Sequence, residues 1–155
     1  MDAIKKEILT HDAWGLTSPK EDLFSGDDLI NAYIQGKKEG LEQTKKLVFD
    51  HLIKNIDKSG NHVDEVISFL KENNFTLIAA YLKINSWDNL SIMLIIPEKE
   101  FIEDRILIAY DFLADFEANI KEELYTLGFN ICDTDDKLNE QHIISDGYFL
   151  KYNLK

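Results

Sequence analysis

The stretch from Phe75 to Ile96 constrains this chain most. Two apolar runs, FTLIAAYLKI and LSIMLII, flank the polar pentad Asn85-Ser86-Trp87-Asp88-Asn89, and that alternation of apolar strand and polar turn predicts a β-hairpin. Lys83 and Asp88 interrupt the run well short of the roughly 18 uninterrupted apolar residues that a membrane helix needs. No membrane insertion is expected.

Amphipathic helices surround the hairpin. Ser25-Gly26-Asp27-Asp28 offers N-cap candidates, and from there apolar residues recur with helical spacing through Ile30, Ile34, Leu41, Val48 and Leu52. The pattern predicts one helix over 27–57 that stops near Lys58-Ser59-Gly60-Asn61, where glycine would cap it. A shorter helix carrying Val63, Val66, Ile67 and Leu70 then ends at Asn73-Asn74 and is expected to pack against the first as a helical hairpin. Residues 2–10 are expected to form a further short helix, and Gly15, Pro19 and Gly26 are expected to mark a linker. Because that linker holds Trp14, Leu16, Leu23 and Phe24, it should lie against the domain or a partner.

Beyond the hairpin, Pro97 stops the strand and suits the first turn of a helix. That helix is expected to run to about Thr126, with Ile102, Arg105 or Ile106, Ala109, Phe112 or Leu113, Phe116, Ile120 and Leu124 in its buried stripe, Glu103, Asp104, Asp111, Asp115, Glu117 and Glu122 in water, and Gly128 as its cap. Phe129 to Cys132 reads as a short strand, Asp133 to Glu140 as an acidic loop, and Ile143 to Leu154 as a final strand interrupted around Ser145-Asp146-Gly147. The order predicts an α+β fold: an antiparallel four-stranded sheet, made of two hairpin-like strand pairs separated by a helix, with helices on one face and a long N-terminal helix. The expected division is residues 1–26 as N-terminal helix and linker and 27–155 as one α+β domain, a size that supports a single core.

Composition restricts partners more than it names them. With 29 acidic residues against 17 basic ones the formal charge is −12, and Arg105 is the lone arginine, so a nucleic-acid partner is disfavoured. Lys37, Lys38, Lys45 and Lys46 are interleaved with Glu39 and Glu42, the pattern of a solvated helix face. One cysteine, Cys132, cannot form an intramolecular disulfide, and the N-terminal residues lack the apolar core of a secretory signal; a cytoplasmic location is expected.

No residue cluster demands a particular reaction. His11, His51, His62 and His142 are scattered, with no HExxH pair and no second cysteine to complete a zinc set. Cys132 and His142 would be the minimum for a thiolate nucleophile if they met across the last two strands. The loop from Asp133 to Glu140 fails the EF-hand pattern, with Leu138 where glycine belongs and Ile144 where glutamate belongs. No metal and no cofactor are expected. The binding candidates are Tyr33, Gly36, Gly40 and Thr44, a smooth strip at four-residue intervals on which a second copy could dock, and the two tryptophans, Trp14 and Trp87, in polar surroundings.

Two functions fit these features. One is a small acidic protein-interaction module, an adaptor or a chaperone, of a size and charge comparable to the small acidic chaperones of bacterial secretion systems, with a protein or a second copy as its partner. The other rests on an outline, helix, strand, turn, strand, helix, that resembles a nucleotidyltransferase palm. The resemblance implies carboxylates near the second strand that hold magnesium; Leu90 to Ile96 contains none and Asp88 stands alone in the turn, so it implies a degenerate, nucleotide-binding copy. A polar site for that function would have to assemble from Asp88, Arg105, Asp133 and Asp146.

Overall fold

The computed structural model describes residues 13–16, 42–135 and 137–154. Their elements are β1 (Trp14–Leu16), α1 (Glu42–Glu72), β2 (Ala79–Ser86), β3 (Asn89–Pro97), α2 (Glu98–Phe101), α3 (Ile106–Ile120), β4 (Thr126–Thr134), α4 (Glu140–Ser145) and β5 (Leu150–Tyr152). The class is α+β, and the sheet is five-stranded and mixed, in the order β1-β5-β2-β3-β4. β2 and β3 form the expected hairpin around Trp87-Asp88, with Ala79 opposite Ile95 and a register shift between Ile84 and Ser86.

The expected antiparallel four-stranded sheet is corrected at both ends. β4 runs parallel to β3, Asn89 opposite Thr126 through Pro97 opposite Thr134, because the connection between them carries a helix and so returns the chain to the end from which β3 started. At the other edge Trp14–Leu16, read as linker, pairs antiparallel with β5. The run from Ile143 to Leu154 is interrupted at Ser145-Asp146-Gly147 as expected, but the part before the break is helix and not strand. The Asn139 side chain accepts from the Gln141 and His142 N–H groups and caps α4, Gly147 turns the chain at φ 100°, and only Leu150–Tyr152 joins the sheet.

Alternation along the strands divides the side chains between two faces. One face presents Leu82, Leu90, Ile92, Leu94, Leu127, Phe129 and Leu150 to Leu52, Ile56, Val63 and Leu70 of α1 and to Ile106, Ala109 and Leu113 of α3, forming the main core. The other presents Ala79, Tyr81 and Ile95 to Ile143 and Tyr148, a small cluster with Met93, Cys132 and Leu138 against it. Helices therefore lie on both faces, not one.

α1 also departs from expectation. It passes through Gly60 without a break, so the two predicted helices are one rod of 31 residues, about 46 Å at 1.5 Å per residue. Gly60 is there for proximity: a Cβ would stand 2.8 Å from Ala13 Cβ and 3.5 Å from Trp14 Nε1. The end at Asn73-Asn74 is as read. Asn74 is left-handed at φ 63°, and the Phe75 N–H to Leu70 O and Asn74 N–H to Lys71 O bonds close a Schellman cap. The part of the predicted helix before residue 42, with Ile30, Ile34 and Leu41, lies outside the described residues.

The helix predicted from Pro97 to Thr126 is divided. Between α2 and α3, Arg105 donates to the Asn73 carbonyl at 2.7 Å and to Glu103 at 2.6 Å, and its guanidinium lies 4.3 Å from the Phe75 ring centre. At the far end Glu122 and Tyr125 exchange backbone hydrogen bonds, and Thr126 already belongs to β4. Gly128 is thus a strand residue and not a cap.

Candidate interaction surface

The outer side of α3 distinguishes this molecule. Ile106, Ala109 and Leu113 are buried at the helical interval, yet the solvent side of the same helix carries Leu107 (62% exposed), Ile108 (53%) and Tyr110 (41%), and Ile102, just before it, is 74% exposed. Ala114 and Ala118 continue that side toward the C-terminus and are exposed as well. Two residues expected in the buried stripe, Ile102 and Leu124, are exposed, because the turns at 102–105 and 121–125 end the helical register that would have pointed them inward.

Acidic side chains border this apolar side. Asp104, Asp111 and Asp115 are exposed among the apolar residues. Glu117 differs from them. Its carboxylate accepts a hydrogen bond from the Phe129 N–H on the outer edge of β4, while burial outweighs that bond and raises its pKa above the ordinary carboxylate value. The absence of a side chain at Gly128 leaves room for it, since a Cβ there would lie 3.4 Å from Glu117 Oε1.

β4 is an edge strand, and the pairing tells which of its backbone groups face outward. The Thr126 N–H donates to Asp88 O across the β3 boundary, so Thr126, Gly128, Asn130 and Cys132 turn their N–H and C=O groups inward, and Leu127, Phe129, Ile131 and Asp133 turn theirs outward. Of these, the Phe129 N–H is taken by Glu117. Among the described residues no hydrogen bond ties the outward N–H groups of Ile131 and Asp133.

A polar cluster on the other side of α3 holds the 121–125 turn in place. Asn55, buried on α1, donates to the carbonyls of Trp87 (2.9 Å) and Leu124 (3.0 Å); His51 Nε2 donates to Leu124 O at 3.2 Å. Lys58 bridges Glu122 at 2.9 Å and lies 4.8 Å from the Tyr125 ring centre. His62 Nδ1 shares a 2.8 Å hydrogen bond with the Tyr125 hydroxyl. Burial lowers the His62 pKa, opposed in part by Glu65, and burial raises that of Tyr125. These groups are committed to one another, which makes the cluster a clasp between α1 and two turns.

The residues singled out from sequence are placed as follows. Tyr33, Gly36 and Gly40 lie outside the described residues, and of Thr44 only its place in α1 is described. Trp14 is 1% exposed, edge-on to Tyr152 at 5.4 Å, with no partner for its indole N–H among the described residues. Trp87 is half-buried against the main core, edge-on to His51 at 5.2 Å. Cys132 and His142 do not form the pair considered: His142 is exposed on α4, and burial, with Asp133 next, pushes the Cys132 thiol up, away from a thiolate. Asp88 and Asp133 sit at opposite ends of the paired β3 and β4, roughly 25 Å apart at about 3.3 Å per residue, so the four polar residues proposed for a nucleotide site do not converge. No group of three or more His, Cys, Asp or Glu residues that could hold a metal occurs among the described residues, and no helix among them is long and apolar enough to cross a membrane.

The exposed apolar side of α3 was not foreseen, although ILIAYDFLADF is apolar on nearly every side and a helix covering one face of a sheet needs only one such stripe. The chain matches no family, no curated protein and no solved structure with which it was compared.

Proposed function

We propose that this chain is a small acidic protein-interaction module of the cytoplasm, and that the outer side of α3 is where its partner docks. The observation that carries the reading is the exposure of Leu107, Ile108 and Tyr110 on one helix, next to Ile102: an exposed apolar stripe on a folded helix marks a surface that is covered in use. The fixed acids at its border, Asp104, Asp111 and Asp115, and the charge of −12 select a partner segment with apolar anchors and lysine or arginine around them. Two copies docked through this side would set the same carboxylates against one another, which favours a different protein over a second copy.

The test is a titration of the ¹⁵N-labelled chain with a synthetic amphipathic leucine-lysine peptide. Saturable shifts should centre on Leu107, Ile108 and Tyr110, and Leu107→Glu should weaken binding at least tenfold. That variant adds a negative charge, so attraction by charge alone would tighten binding. Shifts spread over every acidic surface, with Leu107→Glu binding as well or better, would contradict the proposal.

A further inference from the structure

The apolar side of α3 and the open edge of β4 belong to one place. Glu117 reaches over the edge to the Phe129 N–H, which fixes that flank of α3 as the one facing the edge. Seven residues are nearly two helical turns, so Tyr110 lies on the same flank as Glu117, about 10 Å toward the N-terminus. α3 returns from the end of β3 to the start of β4, hence it runs against β4, and a step back along α3 is a step forward along β4. Tyr110 thus overhangs the stretch beyond Phe129, where the outward groups of Ile131 and Asp133 are unbonded among the described residues. Leu107, one turn further, and Ala114, between Tyr110 and Glu117, extend the overhang.

We infer that the partner adds to β4 as an extended strand, pairing its backbone with Phe129 O, Ile131 and Asp133 while its alternate side chains pack beneath Tyr110 and Leu107 of α3. This rests on the reading of α3 as the docking side and specifies the form of the partner. An exposed strand edge is a template for another strand, and natural edges are ordinarily shielded along their length; among the described residues the shield, Glu117, covers one N–H and stops. The carboxylate of Glu117, at the edge beside Gly128, and that of Asp133, on the face that carries Phe129 and Ile131, bracket the open stretch. The strand that fits has an apolar centre and a basic residue at each end. A second copy of β4, TLGFNICDT, carries no base and would bring its own Asp133, so it does not fit.

The experiment uses the full chain and three acetylated, amidated peptides: Lys-Thr-Ile-Thr-Val-Thr-Lys and two versions with backbone N-methyl groups, one on all three threonines and the other on isoleucine and valine. Strand addition uses the N–H groups of only one set, so one methylated peptide should bind at least tenfold more weakly and the other should bind as the parent does. Hydrogen exchange at Ile131 and Asp133 should be fast in the free chain and slowed by the parent peptide. If Leu107→Glu abolishes binding but both methylated peptides bind like the parent, the docking side stands and strand addition is overturned. Binding indifferent to Leu107→Glu overturns the broader reading with it. No binding, equal loss with both methylated peptides, or slow exchange at Ile131 and Asp133 in the free chain also overturns strand addition.

Discussion

α1 and α3 cover the same face of the same sheet, and their solvent sides could hardly differ more. Each buries aliphatic residues at helical intervals, Leu52, Ile56, Val63 and Leu70 on one and Ile106, Ala109 and Leu113 on the other. Outward, α1 shows Asp50, Lys54, Asp57, Asn61, Asp64, Glu65 and Lys71, interrupted by Leu47 at 70% exposure. α3 shows Leu107, Ile108, Tyr110, Ala114 and Ala118 with acids between them. Packing on the sheet explains the inner sides of both helices. It explains nothing about the outer side of α3, and an apolar surface that the packing of the described residues does not use is the best place to look for a partner.

The largest expected effect separates the two sides of α3. Leu113→Ala should cost about 2–5 kcal/mol of folding stability, as truncation in a packed core does, and Leu107→Ala should stay within about 0.5 kcal/mol. Urea unfolding of the two variants checks this. A cost at Leu107 comparable to that at Leu113 would mean that the outer side is covered within the chain, and the comparison would fail.

Gly60→Ala sharpens the other half. In an exposed helix the change would stabilise by about 1 kcal/mol. On α1 the new methyl would meet Ala13 Cβ at 2.8 Å, and overpacking of this kind costs about 1–3 kcal/mol. Net destabilisation together with a change in Trp14 fluorescence is expected; a more stable protein would show that β1 yields easily.

Two titrating groups give smaller effects of opposite sign. The folded state lowers the His62 pKa below 6.5, so the unfolded chain binds the proton more tightly and stability falls as pH drops through 6.5 toward the folded value. His62→Gln should flatten thermal stability between pH 7 and pH 5. The folded state raises the Glu117 pKa above 4.5, so its contribution is present below 4.5 and is lost as pH rises through the folded value. Glu117→Gln should therefore be more stable than the parent at pH 7 and lose that advantage near pH 4, while still shielding the Phe129 N–H through its amide oxygen. An advantage that persists at pH 4 would place the effect elsewhere.

What could be read from the chain without coordinates follows from how local each signal is. The 75–96 hairpin and the stop at Asn73-Asn74 are written in adjacent residues, a polar turn between apolar runs and a residue type that tolerates φ above zero. Gly60 misleads because the same residue serves a helix cap and a close approach, and Ala13, the atom that requires it, is 47 residues away in sequence. The direction of β4 could not be read either, since Thr126–Thr134 suits either direction and the crossover through α3 sets it. For the candidate site, the apolar excess in ILIAYDFLADF was visible, but a buried stripe was expected to absorb Ile102 and Leu124. The edge of β4 and the hold of Glu117 on Phe129 exist only once the sheet order is known.

The most direct test sets two exposed leucines against each other, one on each helix. Leu47→Glu and Leu107→Glu add the same charge to the outer sides of α1 and α3, and both are compared with the parent for binding of the peptide Lys-Thr-Ile-Thr-Val-Thr-Lys by isothermal titration calorimetry. A Kd at least tenfold weaker for Leu107→Glu, with Leu47→Glu unchanged or slightly tighter, is the result predicted here. Equal effects of the two substitutions would contradict it, because the outer side of α3 would then be no different from that of α1.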